Sequence, residues 1–167
     1  MGALVSVREA ADDWHAITLP DGRSGYIPAR SLLPLASVEP DFVSVAERLV
    51  GAPYLWGGRS AAGLDCSALV QLALQATRIA CPRDSGPQFE WAQARDGTVT
   101  VDAAEAQRGD LAFWPGHVGI FQSADSFLHA NAHHHAVTGE AASRALPRTD
   151  AASPTPAIIL RLGDQPA

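Results

Sequence analysis

Cys66, His117 and His129 are the side chains whose types and spacing best suit nucleophilic chemistry. Cys66 follows Asp65 and precedes a long apolar run, so it falls in the first turn of a predicted helix. Unpaired N–H groups in that turn carry partial positive charge, which favours the thiolate and lowers the pKa of a thiol. A free cysteine is also commonly a buried hydrophobic residue. For Cys66 taken alone, a nucleophile and a packing residue therefore remain alternatives.

The two histidines lie in consecutive predicted strands, twelve residues apart. Side chains alternate between the faces of a strand, so their relative orientation depends on the length of the connection. A hairpin loop of odd length, or an equivalent bulge, would place both imidazoles on one face. One imidazole could then accept the proton of Cys66 while the second fixes its tautomer and orientation, as in catalytic triads.

The elements that must position these residues are predicted as helices first and strands later. Asp41 is placed to cap a helix over residues 42–50, a second helix over residues 67–77 begins at Cys66, and a third spans about residues 87–95. Short apolar or alternating runs indicate strands at 111–114, 117–121, 127–130 and 157–160. This order predicts an α+β domain with a mostly antiparallel sheet. Residues 141–156 are a polar connection with no assigned structure.

The first 36 residues contain short predicted strands at 4–7, 14–19 and 25–28, with a turn at Pro20–Gly22. The run from Trp14 to Pro28 resembles the second half of a bacterial SH3-like (SH3b) domain, whose first half is missing. So few strands cannot close such a barrel alone. We therefore expect a partial SH3b-like β module over residues 1–36, supported by a second domain over residues 37–167.

Composition excludes several classes of function. The 167 residues include twelve arginines, no lysine and eighteen acids, for a formal charge of −6. Without a basic cluster, nucleic acid and anionic membranes are not expected partners. No window approaches the roughly 18 apolar residues of a membrane span, and the first residues do not resemble a signal peptide. The expected location is the cytoplasm, where two thiols are expected to remain separate. The pattern does not indicate an oligomeric state.

Several motifs in the order of one family accompany the cysteine and the histidines. They are Pro53-Tyr54-Leu55-Trp56-Gly57-Gly58, Asp65-Cys66-Ser67, Arg108-Gly109-Asp110-Leu111, Gly116-His117-Val118-Gly119-Ile120 and Leu128-His129-Ala130. Over roughly residues 41–162 the chain resembles the NlpC/P60 cysteine peptidases. The resemblance implies a papain-like α+β fold without a cofactor, with Cys66 as nucleophile, His117 as base and His129 as third polar residue. It also implies that Tyr54 and the Cys66 N–H assist near the oxyanion.

The resemblance implies a substrate as well: the bond between D-γ-glutamate and a diamino acid, diaminopimelate or lysine, in cell-wall peptides. The stretch Cys81-Pro82-Arg83-Asp84-Ser85 resembles the subset that recycles free murein peptides, in which an aspartate matching Asp84 pairs with the free amine of L-alanine. Read alone, Asp84 is well suited to capping a helix, and the sequence by its local pattern favours that role. We expect Asp84, Ser85, Trp56 and Arg83 to contact the substrate.

Three further features leave alternatives open. Ala68 stands where the family usually has glycine, which either narrows the site or favours the helix. The run His133-His134-His135 suggests a metal, but consecutive strand side chains alternate faces, so no metal site is predicted there, and Cys81 is expected to be inert packing. Besides a peptidase, the same residues fit a non-catalytic module that binds wall peptides, or an acyltransferase that uses the same triad.

Overall fold

The computed structural model describes residues 4–60 and 62–163. Its strands are Ser6–Ala10 (β1), Trp14–Thr18 (β2), Ser24–Pro28 (β3), Arg59–Ser60 (β4), Gly63–Leu64 (β5), Val99–Val101 (β6), Leu111–Trp114 (β7), His117–Ser123 (β8), Ser126–Asn131 (β9), Ala136–Ala141 (β10) and Ile158–Arg161 (β11). Its α-helices are Phe42–Glu47 (α1), Cys66–Ala76 (α2), Ser85–Gln93 (α3) and Ala142–Ala152 (α4). One compact unit ends at Val38 and a second begins at Glu39.

The N-terminal unit is an antiparallel sheet of β1, β2 and β3. Gly22 has a φ of 85° in the turn between β2 and β3, a conformation in which glycine avoids the steric cost of a Cβ. The first strand lies later than predicted, at Ser6–Ala10. Within the described part of this unit, Ala16 and Ile17 are the buried hydrophobic residues. The SH3b-like character and the predicted domain limits stay predictions.

The helices of the second unit follow the capping and apolar patterns. Asp41 accepts hydrogen bonds from the backbone N–H groups of Val43 and Ser44, which starts α1. That helix ends at Glu47, three residues before the predicted end. Asp65 caps α2, which begins at Cys66 as predicted and is buried through Leu74. Helix α2 is buried on all sides because it packs between the neighbouring helices and strands β8 and β9.

Six strands of the second unit form one antiparallel sheet in the order β10-β9-β8-β7-β11-β6. One core joins α1, α2 and α3 to side chains such as Leu111, Val118 and Leu128. A second core joins α4 to the opposite face through Trp114 and Phe127. Strands β7, β8 and β9 are therefore largely buried on both faces, because helices cover both faces of the sheet.

Parts of this unit were not predicted. Strands β6 and β10 and helix α4 lie where no element was assigned, and α4 occupies most of the 141–156 connection. The sequence signal is weak because β10 buries Val137 alone and α4 buries Ala142 and Ala145 alone. Residues 132–135 form a turn, so the placement of the three consecutive histidines on a strand was wrong. Within the described ranges, no helix combines the length and hydrophobicity needed to cross a membrane.

Candidate active site

Cys66 is the first residue of α2, and its thiol lies beside the start of β8. The Sγ atom is 4.0 Å from the carbonyl oxygen of Gly116, immediately before His117. Burial raises the pKa of the thiol, and the Asp65 carboxylate adds to that rise, whereas the N–H groups of Val118 and Ser67 lower it. The expected lowered pKa was therefore wrong: desolvation outweighs the helix N-terminus. The resting side chain is a neutral thiol.

Asp65 connects the nucleophile's helix to the loops around it. Its buried carboxylate accepts hydrogen bonds from the N–H groups of Ala68 at 2.8 Å and Gly57 at 2.9 Å. The guanidinium of Arg83 binds both oxygens, at 2.9 and 2.8 Å. Although burial alone raises it, these contacts hold the pKa of Asp65 below its usual value. The ionised carboxylate thus fixes the first turn of α2, in which Ala68 is fully buried.

A β-bulge brings the two histidines to one face of the sheet. Strands β8 and β9 pair Ser123 with Ser126 beside the hairpin, but the register shifts by one residue between Ser123 and Phe121. Continuing the shifted register places His129 opposite Gly119, two positions along β8 from His117. Without the bulge, His129 would face the opposite side. The condition for convergence is therefore met by a bulge and not by an odd loop.

The imidazoles form a hydrogen-bonded chain that continues to a carboxylate. His117 Nε2 lies 2.9 Å from His129 Nδ1, and His129 Nε2 lies 2.9 Å from Glu140 Oε1. Arg148 binds both oxygens of Glu140, with one nitrogen 2.8 Å from Oε2 and the other against Oε1. The carboxylate is held by two donors and orients His129, which in turn orients His117.

The ionisation of Glu140 determines both tautomers. The hydrogen bonds from Arg148 are the main cause that lowers the pKa of Glu140 to about 2, and they outweigh burial, which raises it. The carboxylate is therefore ionised near neutral pH and only accepts hydrogen bonds. The Nε2 of His129 must then carry its proton, which makes Nδ1 an acceptor. The Nε2 of His117 must in turn donate to it. The Nδ1 of neutral His117 is left with a lone pair that can accept a proton.

Both imidazoles are neutral in the resting site. Burial, followed by the charges of His129 and Arg148, lowers the pKa of His117 to about 3. Burial also lowers the pKa of His129, although the bond to Glu140 opposes it. Cys66 therefore rests as a thiol and His117 as a neutral imidazole.

Tyr54 lies in the loop that precedes β4, half-buried, and its backbone N–H donates to the carbonyl of His135 at 2.9 Å. Burial raises the pKa of its phenol, and so do the negative charges that Cys66 and Asp65 can carry. The phenol remains protonated and can donate a hydrogen bond close to the nucleophile.

The four predicted substrate contacts differ in exposure. Trp56 is 88% exposed, and the Asp84 side chain is 77% exposed. Asp84 occupies the N-cap position of α3 but makes no capping bond with its side chain, and Ser85 is half-buried as the first helical residue. Arg83 is bound by Asp65, Ser67 and the carbonyl of Gly58. These contacts of Arg83 are structural, and all four substrate roles stay predictions.

Sequence reasoning missed Glu140 and Arg148. They belong to β10 and α4, two elements without a strong periodic signal, so no pattern connected them to the histidines. Within the described residues, His129, His134 and Glu140 also offer ligand atoms within 4.8 Å of one another. A cation there would have to displace the Arg148 guanidinium from the same carboxylate. Cys81 is buried, and burial raises its pKa to about 12.

The chain is similar to known proteins of one family. Residues 51–151 match the NlpC/P60 family. The chain is 30% identical over 130 residues to dipeptidyl-peptidase 6 of Lysinibacillus sphaericus, covering 71% of this chain and 45% of that protein. It is 35% identical over 98 residues to the gamma-D-glutamyl-L-lysine dipeptidyl-peptidase of Bacillus subtilis, covering 54% of this chain and 31% of the relative. The chain thus spans less than half the length of these two curated relatives.

Two solved structures share the fold. An NlpC/P60 family protein from Bacillus cereus superposes with a TM-score of 0.65 at 22% identity, covering 82% of this chain and 48% of that one. The peptidoglycan hydrolase RipB from Mycobacterium tuberculosis superposes with a TM-score of 0.57 at 30% identity, covering 74% and 64%. Together with the cysteine at the start of a helix and the histidines of a bulged hairpin, these matches show that the chain belongs to the NlpC/P60 family.

Proposed function

We propose that this protein is a cysteine peptidase that cleaves the bond between D-γ-glutamate and a diamino acid in cell-wall peptides. The observation that carries the proposal is the chain of hydrogen bonds from His117 through His129 to Glu140, together with a thiol of Cys66 that lies 4.0 Å from the carbonyl oxygen of Gly116, the residue before His117. His117 is neutral in this arrangement, and the residue before it contacts the thiol of Cys66. The name of the Bacillus subtilis relative, a gamma-D-glutamyl-L-lysine dipeptidyl-peptidase, supports the choice of bond.

In the proposed reaction, Cys66 Sγ attacks the carbonyl carbon of the γ-glutamyl group while His117 Nδ1 takes the thiol proton. The Cys66 backbone N–H and the Tyr54 phenol donate to the developing oxyanion; a single such donor is worth on the order of 3 kcal/mol. The C–N bond then breaks, His117 returns the proton to the leaving amine, and a thioester remains. Water, deprotonated by His117, hydrolyses the thioester and restores the thiol.

Replacing the nucleophile tests the proposal. Cys66→Ala should abolish release of diaminopimelate from L-Ala-γ-D-Glu-diaminopimelate, because no thioester can form, and mass spectrometry of the products measures this. Cys81→Ala is the matched control, since both cysteines are buried and free. It should retain hydrolysis. Turnover by the Cys66 variant at the wild-type rate would contradict the proposed chemistry.

We further propose that the substrate is a free murein peptide whose N-terminal amine pairs with Asp84, and that the reaction is part of peptide recycling in the cytoplasm. The exposure of the Asp84 carboxylate, which makes no capping bond, supports a role in binding. N-acetylation of the peptide should lower kcat/KM by about tenfold or more, since a charge-assisted hydrogen bond is lost. The Asp84→Asn variant should lose this discrimination. Equal cleavage of free and acetylated peptides by the wild type would remove Asp84 from the specificity.

A further inference from the structure

A cavity beside the two imidazoles is not used by the catalytic chain of hydrogen bonds. Its volume is about 320 Å³, and His117 and His129 form part of its wall. Trp114 and Pro115 line an apolar side, and residues of the last two turns of α4 line another. Asp150 accepts a hydrogen bond from Trp114 Nε1 at 2.7 Å, which fixes the indole wall. The cavity is therefore a formed space bounded by two ordered elements.

Two side chains of this cavity have polar atoms without a partner among the described residues. The two atoms are Nδ2 of Asn131 and Oγ of Ser153, and both are buried. Asn131 is only 7% exposed. Its Oδ1 accepts the backbone N–H of His134 at 2.8 Å, which assigns the unpartnered atom as the NH₂ donor. A buried donor without a partner is costly, so this geometry is expected to be completed by a ligand or by water.

The hydrogen-bonding groups around the cavity favour a ligand that accepts hydrogen bonds. Arg148 lines it and contacts Glu140 with two nitrogens, which leaves further N–H groups on the same guanidinium. The remaining titratable side chains in the lining are His117, His129 and His133, and no carboxylate lines it among the described residues. The two nearby acids, Glu140 and Asp150, are already paired with Arg148 and Trp114. A carboxylate would find donors here, whereas an ammonium group would find no partner of opposite charge.

The chemistry assigns the cavity to one side of the scissile bond. His117 must return a proton to the leaving nitrogen, so the leaving group lies on the imidazole side of the thiol. Both imidazoles line the cavity and Cys66 does not. We propose that this cavity is the binding site for a carboxylate of the leaving diamino acid, held by Asn131 Nδ2 and Arg148. The inference rests on the proposed function, and it makes the leaving group a determinant of specificity.

The carboxylate has two sources: the side chain of diaminopimelate, or the α-carboxylate at the end of a free tripeptide. The test compares L-Ala-γ-D-Glu-diaminopimelate with the same peptide amidated at the side-chain carboxylate, and with the peptide amidated at the α-carboxylate. Amidation preserves size and removes the charge. We expect one of the two amides to be cleaved with a kcat/KM lower by about tenfold or more. The amide that loses activity identifies the carboxylate that is bound.

A variant then assigns the effect to the cavity. Asn131→Asp keeps an oxygen that accepts the backbone N–H of His134. It replaces the NH₂ donor by a second oxygen, which repels a carboxylate. The preference for the free acid over the amide should therefore disappear. The preference is a ratio of two rates on one scissile bond, so a general change in activity cancels. Gln93→Glu makes the same amide-to-acid change at an exposed position outside the cavity and should leave the preference unchanged.

Each result decides the inference. Equal cleavage of all three peptides by the wild type overturns it even if Asn131→Asp fails to fold, because that comparison needs no variant. A preference that persists in a folded Asn131→Asp protein also overturns it. If none of the three peptides is cleaved, the proposed function fails and the inference fails with it. Cleavage of all three at equal rates contradicts the inference alone.

Discussion

At the scale of single residues, burial decides the protonation of the candidate site. It raises the pKa of Cys66 and lowers the pKa of His117 to about 3, so the resting pair is uncharged. Of the groups in the hydrogen-bonded chain, Glu140 and Arg148 are the charged ones, and they neutralise each other. A general-base reaction is consistent with this state, because a preformed thiolate and imidazolium would have to pay the desolvation of two charges.

The pH dependence of hydrolysis follows from the lowered pKa of His117. The base acts when neutral, and its folded pKa of about 3 lies below the ordinary 6.5, so it stays neutral as the pH falls through 6.5. We expect kcat/KM to show no loss from this group near pH 6.5 and an acidic limb at lower pH. A pH profile of kcat/KM from about 3, the pKa of His117, up to neutral pH measures this. An acidic limb at or above pH 6.5 would contradict the neutral buried base.

Glu140 should affect turnover more than substrate binding. Glu140→Gln removes the charge that assigns the tautomers of both histidines, and we expect kcat to fall by about tenfold to a hundredfold with KM little changed. The expected loss is smaller than the roughly 10⁴ found when a carboxylate directly beside a catalytic histidine becomes an amide, since Glu140 acts through His129. Steady-state kinetics measures both constants. Partial rescue by Glu140→Asp would support positioning, and an unchanged kcat in Glu140→Gln would contradict it.

At the scale of elements, the hairpin of β8 and β9 sets the geometry of the histidines. The bulge beside Phe121 sets which face His129 takes, and Gly119 permits the close approach of Phe127 to the strand. A Cβ at position 119 would overlap the Phe127 ring and lie 3.0 Å from the Cβ of His129. The glycine of β8 is therefore part of how the second imidazole is positioned.

Gly119→Ala should consequently reduce both stability and hydrolysis. Overpacking typically costs about 1–3 kcal/mol, and a displacement of about 1 Å at a catalytic group can cost about a hundredfold in rate. Thermal unfolding and kcat measure the two effects. Gly86→Ala is the matched control, because Gly86 lies in α3 with open space around it and an ordinary backbone conformation. Wild-type kcat in Gly119→Ala would show that the glycine does not position His129.

At the scale of the whole molecule, the second unit has the layers that the site requires. Helices α1, α2 and α3 cover one face of the six-stranded sheet and supply Cys66, whereas α4 covers the other face and supplies Arg148. The site thus combines residues from opposite sides of one sheet where β8 begins. The N-terminal unit buries few side chains of its own within its described part. Its relation to SH3b domains and its role stay predictions.

Features that depend on neighbouring residues could be predicted from the amino-acid sequence. Asp65 before an apolar run predicts the start of α2 and the position of Cys66 in its first turn. The apolar runs around His117 and His129 predict two strands. Both predictions succeed because capping and periodicity are properties of neighbouring residues. Three further features depend on the folded chain. They are the bulge that turns both imidazoles to one face, the recruitment of Glu140 and Arg148 from weakly patterned segments, and the burial that raises the pKa of Cys66. Each depends on contacts between residues distant in the chain, and neither local propensity nor spacing encodes how much water such contacts exclude.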